Sequence, residues 1–512
     1  MKDIIYFVKQ IHSYAGSRLY INILAMTFIG LLESVGILLL IPMINMTGLV
    51  DFGLENSSYF QFLRFIEDIP ASIALPIILS IYLLVVVGYN YIDRKIVIRN
   101  SIIQNGFLRK LRSDTYTAVL HSKWEFFIKH RKSDLINLVL TEVAKASGGT
   151  SSFLSFIGSL IFTFIQILLA FWLSPQITFF ILLSGAFLVF ANRKFLKFSL
   201  ALGNRNYELG RSFLAGMTDQ LNGIKDIKSN NLEESRLNWF HNITQQMVNE
   251  QLEYVKVRTR SQFYYKCSSA FLIVIFIFVA LNMFQAQAGQ LMLILVIFSR
   301  LWPRVAGIQS SLEDIATTLP AFKNVKSIQE DCKKQEEFQN EAYKNIEPIQ
   351  LNRAIECRDV HFRYNKGESR YALQAINITI PAKQMTAFVG RSGAGKSTLI
   401  DLLMGLNEPE SGQVLIDGVP LSKENILSLR SSLSYVPQDP FLFNTSIREN
   451  LMLVKTDASD EEMWEALTFA SAAEFVGKLP NGLDSIIGDR GIKLSGGERQ
   501  RLVLARAILR KP

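Results

Sequence analysis

One glycine-rich stretch decides the fold of the second half of this chain: Gly390-Arg391-Ser392-Gly393-Ala394-Gly395-Lys396-Ser397, followed by Thr398. It fits the pattern G-x-x-x-x-G-K-[ST] at every fixed position. The apolar run Gln384–Val389 before it predicts a buried strand, and Ser397–Gly405 after it predicts a helix closed by a glycine. Strand, glycine loop and helix start are together the setting in which such a loop binds phosphate groups.

The residue types of this loop suit phosphate chemistry. Its glycines leave backbone N–H groups free to turn towards phosphate oxygens, and the start of the helix adds a partial positive charge. Lys396 is placed to contact the β- and γ-phosphates, and Ser397 to hold Mg²⁺ through its hydroxyl. An ordinary glycine-rich turn is the alternative. The complete pattern in this setting favours a nucleoside triphosphate site.

The composition indicates a membrane protein. The 512 residues are 49% hydrophobic, with a mean hydropathy of +0.21, which is too apolar for a soluble chain of this length. The formal net charge of +9 would suit nucleic-acid binding. The basic residues lie between apolar runs, however, as in the cytosolic loops of membrane proteins, so we expect no nucleic-acid partner. Three scattered cysteines, Cys267, Cys332 and Cys357, are too few for a disulfide framework or a metal site.

Six apolar runs are long enough to cross a lipid bilayer as helices. Among the connecting segments, those expected outside the cell hold a single basic residue, Arg64, whereas residues 93–152 and 196–262 are rich in lysine and arginine. This asymmetry predicts that these two segments and both termini lie in the cytosol. The runs are Leu19–Ile41, Ala71–Ile92, Phe153–Leu173, Ile177–Phe195, Phe263–Phe284 and Leu291–Gln309.

The first 18 residues combine apolar Phe7 and Ile11 with basic Lys2 and Lys9. This pattern predicts a short amphipathic helix on the membrane surface. A cleavable signal peptide is the alternative. Charge interrupts its apolar core, however, and the next apolar run is a full span with more spans behind it.

The two long cytosolic segments have helical periodicity and no stretch rich in proline or glycine. Each therefore predicts two helical extensions of the flanking spans, joined by a turn near Ser122–Lys132 or Gly223–Asn231. The first turn contains a cluster of aromatic residues flanked by basic residues. Such a cluster is suited either to docking in a groove on another domain or to lying on the membrane surface. After the last span, residues 320–350 turn polar and mixed in charge, which predicts a linker.

Three further motifs stand in order around the glycine loop. Val360–Tyr364 alternates like a strand and ends in an aromatic ring that could stack on a purine. Leu433–Gln438 predicts a strand ending in Gln438, whose amide can reach Mg²⁺ and an attacking water. Leu494–Arg501 opens a helix, and its bare N–H groups predict a second anion site. Taken singly, Tyr364 or Gln438 is more often an ordinary structural residue.

Together the motifs resemble one family. Leu494–Gln500 matches the signature sequence of ABC (ATP-binding cassette) ATPases, and Gly390–Ser397 matches their Walker A motif. Six spans with long cytosolic helices before a single cassette resemble a half-transporter of the exporter type. The resemblance implies an all-α six-helix transmembrane domain followed by an α/β P-loop NTPase domain that is C-terminally incomplete.

The resemblance also implies roles for individual residues. The turns near Ser122–Lys132 and Gly223–Asn231 would be coupling helices, and Gly488–Gly491 the exporter-type loop, with Asp489 where the family commonly has Glu. The implied ligands are ATP and Mg²⁺, with Ser397 and Gln438 on the metal. The implied catalytic residues are Lys396 and Gln438. ATP would be contacted by Tyr364, by the loop residues Gly390, Arg391, Ser392, Gly393, Ala394, Gly395, Lys396, Ser397 and Thr398, by Gln438, and, from a partner subunit, by Ser495, Gly496, Gly497 and Glu498.

The implied function is ATP-driven export or flipping of a drug, a lipid, a lipid-linked sugar or a peptide. Two cassettes would close on ATP and pass that movement to the spans. The implied partner is a second half-transporter, most simply a copy of this chain, with a heterodimer as the alternative. A channel or sensor gated by the same cassettes is the alternative function. The implied location is a bacterial-type inner membrane, with the cassette in the cytosol.

The expected domains are an N-terminal helix (1–18), a transmembrane domain (19–319), a linker (320–350) and a partial nucleotide-binding domain (351–512). The chain ends at Pro512, at the end of the signature helix. In the family a strand ending in Asp-Glu (Walker B) follows, and its carboxylates support Mg²⁺ and polarise the attacking water. We therefore expect a sequence truncated before Walker B, and little ATP hydrolysis by this polypeptide alone.

Ionisable residues interrupt two of the apolar runs: Glu33 in the first, and Arg300 with Arg304 in the sixth. At about 1.5 Å per residue, Glu33 and Arg300 fall near the middle of a core about 30 Å thick. A charge there costs at least about 2.5 kcal/mol, so we expect it to face a cavity or a partner. We expect a translocation path lined by these residues, either paired across it or contacting a charged substrate group. A static ion pair that only fixes helix packing is the alternative.

Overall fold

The structure is a computed structural model that describes residues 2–45, 71–173, 175, 178–179, 193–282, 288–338, 346–365, 367 and 369–512. The chain divides into two compact units. The first comprises Met1–Leu120 and Lys129–Gln335, and the second comprises His121–Ile128 and Glu336–Pro512.

Helices make up the described part of the first unit. Four of the described helical stretches are long and apolar enough to cross a membrane: Ser17–Leu38, Ile73–Leu120, Lys132–Trp172 and Glu233–Val279. In chain order the helices are α1 (Lys2–Ala15), α2 (Ser17–Leu38), α3 (Leu40–Asn45), α4 (Ala71–Leu120), α5 (Trp124–Lys129), α6 (Lys132–Asn137), α7 (Val143–Leu173), α8 (Arg193–Asn222), α9 (Ile224–Ser229), α10 (Glu233–Asn282) and α11 (Ala288–Lys334), with a π-helical turn at Leu138–Glu142 between α6 and α7.

Four of the six expected spans coincide with these four stretches as far as the structure describes them, and the sixth, Leu291–Gln309, lies in α11. The fourth, Ile177–Phe195, lies almost entirely outside the described residues. Helices α4 and α10 have 50 residues each, or about 75 Å at 1.5 Å per residue. Because a bilayer core is about 30 Å thick, each helix continues far beyond its apolar part. The predicted helical extensions are therefore present, and the short helices α5 and α9 occupy the two predicted turns.

Helix α1 forms where an amphipathic helix is expected, but other helices cover its apolar face. Phe7 and Ile11 are buried, and the Phe7 ring packs edge-on against Phe107 of α4 and Phe322 of α11. The apolar residues Phe7 and Ile11 therefore pack against protein, where the sequence predicts that they face the membrane surface. Amphipathic periodicity identifies an apolar face, but lipid and protein can cover that face equally well.

Helix α11 continues through Pro303 and Pro320 and ends at Lys334, so it extends into the segment 320–350 that the sequence predicts as a linker. Its side chains there are structural, because Val325 belongs to the same buried cluster as Phe7 and Phe107. Polar composition predicts a linker, but the apolar residues that occur every third or fourth position build a helix face.

The second unit contains a small antiparallel sheet with strand order β2-β1-β3-β4. Ala354 pairs with Pro381 across β1 and β2, and Ile355 pairs with Ile416 across β1 and β3. One face of the sheet is covered by the helix that follows the glycine loop, through Leu399 and Leu402. The strands are β1 (Ala354–Phe362), β2 (Leu373–Pro381), β3 (Ser411–Ile416) and β4 (Val419–Pro420), and that helix is α12 (Lys396–Leu403).

A separate helical part of the second unit has its own core, which includes the fully buried Leu442, Leu467 and Leu502. The helices at Ile447, Asp460 and Gly496 each begin with a reciprocal serine–glutamate capping box, which satisfies backbone N–H groups of the first turn. The α-helices that follow α12 in the second unit are α13 (Ile426–Ser432), α14 (Ile447–Met452), α15 (Asp460–Phe469), α16 (Ala473–Gly477) and α17 (Gly496–Leu509).

Two predicted strands do not form. Residues 384–389, before the glycine loop, and residues 433–438 are both extended or irregular, and no strand among the described residues pairs with either. Met385 and Val389 are 99% and 94% exposed, so the first segment is not buried as expected. Apolar runs predict a tendency to form a strand, but a strand also needs a hydrogen-bonded neighbour. Similarly, β1 ends at Phe362, two residues before Tyr364.

Candidate functional site

The glycine loop forms one wall of a polar cavity of about 610 Å³ in the second unit. This volume lies within the usual range for small-ligand and cofactor sites. The side chains and backbone that line it come from four places in the sequence: Tyr364; Arg370, Tyr371 and Ala372; Ser392, Gly393 and Gly395 to Thr398; and Gln438.

Glycine is required at two positions of the loop. Gly393 and Gly395 have φ angles of +80° and +85°, in the region that side-chain-bearing residues rarely adopt. A Cβ on Gly395 would also lie 2.8 Å from the carbonyl oxygen of Ala372 and from a methyl of Leu373, at the start of β2. The loop therefore turns tightly against the sheet edge, and α12 begins directly after it with its N-terminal N–H groups towards the cavity.

Lys396 closes the loop upon itself. Its Nζ donates to the carbonyl oxygens of Gly390 at 2.8 Å and Arg391 at 2.9 Å. The ammonium group thus sits inside the curve of the loop and faces the cavity. An anion entering there would meet a positive charge that is already held in place.

Tyr364 stands at the rim of the cavity. Its hydroxyl lies 3.0 Å from Oγ1 of Thr398, and its ring packs edge-on against Phe362 at 5.1 Å. These two contacts fix the ring, and the residue stays 39% exposed beside the cavity that it lines. A fixed, open aromatic face can stack on a flat ring system.

The structure brings together most residues that the sequence assigns to this site. Ser392, Lys396, Ser397, Tyr364 and Gln438 line one cavity although Gln438 follows the loop by some forty residues. Gly390, Arg391 and Ala394 contribute as parts of the loop backbone. Arg370, Tyr371 and Ala372 also line the cavity, although no sequence motif predicts them there. Tyr371 is held by Arg363, whose guanidinium lies 4.5 Å from the ring centre, and no motif marks it.

The lining suits a nucleoside triphosphate with Mg²⁺. The hydroxyl of Ser397 and the side-chain amide of Gln438 supply two oxygen ligands in the lining of this cavity. Mg²⁺ usually takes one or two protein oxygens and completes its shell with water and substrate phosphates. The part of the chain that the structure describes contains no group of three or more His, Cys, Asp or Glu side chains that could hold a metal ion.

The signature motif forms the N-terminus of α17. Ser495 accepts a hydrogen bond from the Glu498 N–H at 3.3 Å, and the Glu498 carboxylate accepts one from the Ser495 N–H at 2.7 Å. That bond holds the pKa of Glu498 below its usual value. The cavity at the glycine loop is not lined by any of the four signature residues Ser495, Gly496, Gly497 and Glu498.

A second constellation lies in the first unit. The carboxylate of Glu33 on α2 accepts from Arg300 of α11 at 2.8 Å, and Arg304 lies 3.8 Å away on the other carboxylate oxygen. The Arg304 guanidinium also lies over the ring of Phe162, 4.4 Å from its centre. Glu33 is buried and both arginines are partly exposed. The structure therefore brings together the three ionisable residues that the sequence singles out.

Comparison with known proteins agrees with this architecture. The family model described as the ABC transporter transmembrane region matches residues 23–302, and the ABC transporter model matches residues 373–512. The solved structure of a bacterial Atm1-family ABC exporter with ATP bound has a similar fold, with a TM-score of 0.78 and 21% identity, over 97% of this chain and 85% of that one.

Curated relatives include the heterocyst differentiation ATP-binding protein HepA of Nostoc sp., 28% identical over 79% of this chain. A putative export ATP-binding/permease protein of Rickettsia bellii is 26% identical over 79% of this chain and 70% of its own length. The match spans 65% of the Nostoc protein's length. The transmembrane model alone covers more than half of the chain. The chain is thus an integral membrane protein that belongs to the ABC transporter family and has the half-transporter architecture of its exporters.

Proposed function

We propose that this protein exports or flips a substrate across the membrane, driven by ATP that binds with Mg²⁺ at the glycine-loop cavity. The observation that carries the proposal is the convergence of Lys396, Ser397, Tyr364 and Gln438 on one cavity. Tyr364 would stack on adenine, and Lys396 would exchange its two carbonyl contacts for the β- and γ-phosphates. Ser397 and Gln438 would hold Mg²⁺, which neutralises charge on the phosphates during transfer. Gln438 would also orient the attacking water.

The working unit that we propose is a dimer, most simply of two copies. Ser495 to Glu498 would complete the ATP site of the partner subunit, since they do not line the cavity of their own chain. Helix α9 supports the same proposal. None of its residues, Ile224–Ser229, is buried within this chain, and Ile224 is exposed. A coupling helix must pack against a cassette in order to transmit its movement, and the cassette of a second subunit would provide that contact.

The first coupling segment behaves differently. Residues 121–128 belong to the second unit, where Ser122 forms a β-bridge with Glu336 and Lys123 pairs with Glu408 at 2.9 Å. Phe126 is fully buried. These contacts favour docking over a membrane-surface role for the aromatic cluster. We propose that this segment passes cassette closure to the spans.

For the translocation path we propose Glu33, Arg300 and Arg304. One carboxylate against two arginines leaves net positive charge on helices that face hydrocarbon, and such charge needs a cavity or a partner. The pair would open when a charged substrate group arrives. We place the protein in a bacterial-type inner membrane, with the cassette and both termini in the cytosol. Drug, lipid, lipid-linked sugar and peptide are the substrate classes under test.

Transport into inverted membrane vesicles tests the function. Vesicles carrying the full-length protein are given ATP or ADP with four probes: a cationic dye, a labelled phospholipid, a labelled lipid-linked sugar and a labelled peptide. We expect one probe to accumulate against its gradient with ATP only. Probe movement that only equalises the two sides would instead support a gated channel, and no movement of any probe would contradict this substrate range.

A further inference from the structure

A cavity of about 320 Å³ lies between α2 and α4, away from both sites described above. It is lined by Arg18 and Ile21 of α2 and by Arg99, Ile102 and Ile103 of α4. The lining is almost wholly apolar, so the two arginines contribute mainly their aliphatic stems to the walls. Both arginines are exposed. Neither arginine takes part in the ATP site or in the Glu33 constellation.

The helices around this cavity are held in register by buried contacts. Asn22 donates to the side chain of Asn100 at 2.5 Å. Leu19, Ile103 and Leu154 form one buried cluster next to it. Ile103 belongs to this cluster and also forms the buried side of the cavity. Ile21 and Ile102 are 51% and 54% exposed and form its open side. The cavity is thus part of the packing of α2 on α4 and is open towards the surroundings of these helices.

Its position corresponds to the cytosolic leaflet. Arg18 stands one residue before the first expected span, and Arg99 lies in the cytosolic extension of α4. Exposed isoleucines on spanning helices face acyl chains, while arginines at the ends of such helices face head groups. The open side of the cavity therefore presents apolar surface and positive charge at the depth where a phospholipid presents an acyl chain and a phosphate.

The charges favour an anionic ligand. Among the residues that the structure describes, neither Arg18 nor Arg99 has an ion-pair partner. Two guanidinium groups can each donate a pair of hydrogen bonds to phosphate oxygens. Phospholipids with a neutral head group carry their own cation, which would compete with these arginines. Basic pockets between spanning helices on the cytosolic side are suited to anionic lipids.

We propose that this cavity is a binding site for an anionic phospholipid of the cytosolic leaflet. Arg18 and Arg99 hold its phosphate and its net negative charge, and the three isoleucines hold the upper part of an acyl chain. The site is separate from transport and does not depend on which substrate the protein moves.

The test measures lipid binding to the full-length protein in detergent by native mass spectrometry. The probes are phosphatidylglycerol and phosphatidylcholine with identical acyl chains. The variant carries Arg18→Gln and Arg99→Gln. The matched control carries Arg94→Gln and Lys95→Gln, which remove two positive charges from the same region of α4 without touching the cavity lining. The thermal unfolding midpoint of each variant checks that it is folded.

We expect one phosphatidylglycerol per chain to bind more tightly than phosphatidylcholine. Removing each arginine should weaken phosphatidylglycerol binding about fivefold, while the control keeps wild-type affinity. If the double variant unfolds, the same measurement is made on Arg18→Gln and Arg99→Gln separately. Equal binding of both lipids to the wild type, or an equal loss in the control, would overturn the proposal. Displacement of the lipid by millimolar inorganic phosphate would show an anion site without lipid specificity, which also overturns it.

Discussion

The Nζ atom of Lys396 makes two kinds of contact: hydrogen bonds to the loop backbone and the proposed bonds to the phosphates of ATP. Its Nζ bonds the carbonyls of Gly390 and Arg391, so the loop holds its shape around the ammonium group. Phosphate oxygens carry more negative charge than these carbonyls and would form charge-assisted bonds of greater strength. A preformed loop costs little reorganisation when nucleotide binds.

The first prediction concerns that ammonium group. Lys396→Ala in the full-length protein should lower the turnover of ATP by roughly 100-fold, because a fixed donor to the transferred phosphate is lost. ATPase activity of purified protein measures this. Lys423→Ala, which removes an exposed lysine elsewhere in the same unit, should leave turnover unchanged. Near-wild-type turnover in Lys396→Ala would remove this residue from the site.

The second prediction separates a path residue from a static ion pair. Glu33→Gln and Arg300→Gln should each abolish transport while ATP binding persists, since the proposed contact with a charged substrate group is lost. The change Glu33→Arg with Arg300→Glu, made together with Arg304→Gln because Arg304 also lies 3.8 Å from Glu33, restores a pair between α2 and α11 with the charges reversed. A static pair would recover transport in that swap, whereas a path role should not. Thermal unfolding of each variant shows whether the fold survives.

The residues of the ATP site were predictable to the extent that a local pattern marks them. The glycine loop, its lysine and its serine need fixed spacing along the chain, so the sequence displays them directly. Tyr371 and Arg370 reach the same cavity because β2 begins beside the loop, and that proximity depends on pairing between distant strands. Pairing between Glu33 and Arg300 was expected only because hydrocarbon does not tolerate unpaired charge.

At the level of elements, strands were harder to predict than helices. The described long helices coincide with the apolar runs or with their periodic extensions, because a helix satisfies its backbone hydrogen bonds internally. Residues 384–389 and 433–438 have the composition of strands and stay unpaired among the described residues, with Tyr435 and Val436 also exposed. Whether such a run becomes a strand depends on a neighbour that the run itself does not encode.

Asp417 stabilises the sheet of the second unit through backbone contacts. It lies with Gly418 in the turn between β3 and β4, and both have positive φ angles, as hairpin turns of this length require. Its carboxylate accepts three N–H bonds from the start of β1: Asn352 at 2.7 Å, Arg353 at 2.6 Å and Ala354 at 2.9 Å. These bonds hold the pKa of Asp417 below its ordinary value of 3.8.

The third prediction follows from that lowered pKa. Asp417→Asn keeps the shape and tolerates the same φ angle but loses the charge, so it should lower the thermal unfolding midpoint of the second unit. A lowered carboxyl pKa stabilises the fold above pH 3.8 and loses this effect as pH falls through the folded-state pKa. The gap between variant and wild type should therefore be constant near pH 7 and shrink below pH 3.8. Asp457→Asn, at an exposed aspartate, should show no such gap.

At the scale of the whole molecule, the signature motif and helix α9 each lack a binding partner in the contacts described above. The signature residues at the start of α17 do not line the cavity of their own glycine loop, and α9 has no buried residue. Both features are explained if a second copy supplies the opposite half of each contact. A dimer with two-fold symmetry would then hold two ATP molecules, each between the loop of one subunit and the signature of the other.

The last prediction tests this arrangement by crosslinking between chains. One copy carries Ser392→Cys in the glycine loop, a second copy with a different tag carries Ser495→Cys in the signature, and both carry Cys267→Ser because that cysteine is exposed. With ATP present, a disulfide should join the two tags, since ATP would bring loop and signature together across the interface. A copy with Ser411→Cys, an exposed position on β3, replaces Ser495→Cys as the control and should not crosslink. If a single chain carrying both cysteines crosslinks only within itself, the signature serves its own loop and the dimeric site is wrong.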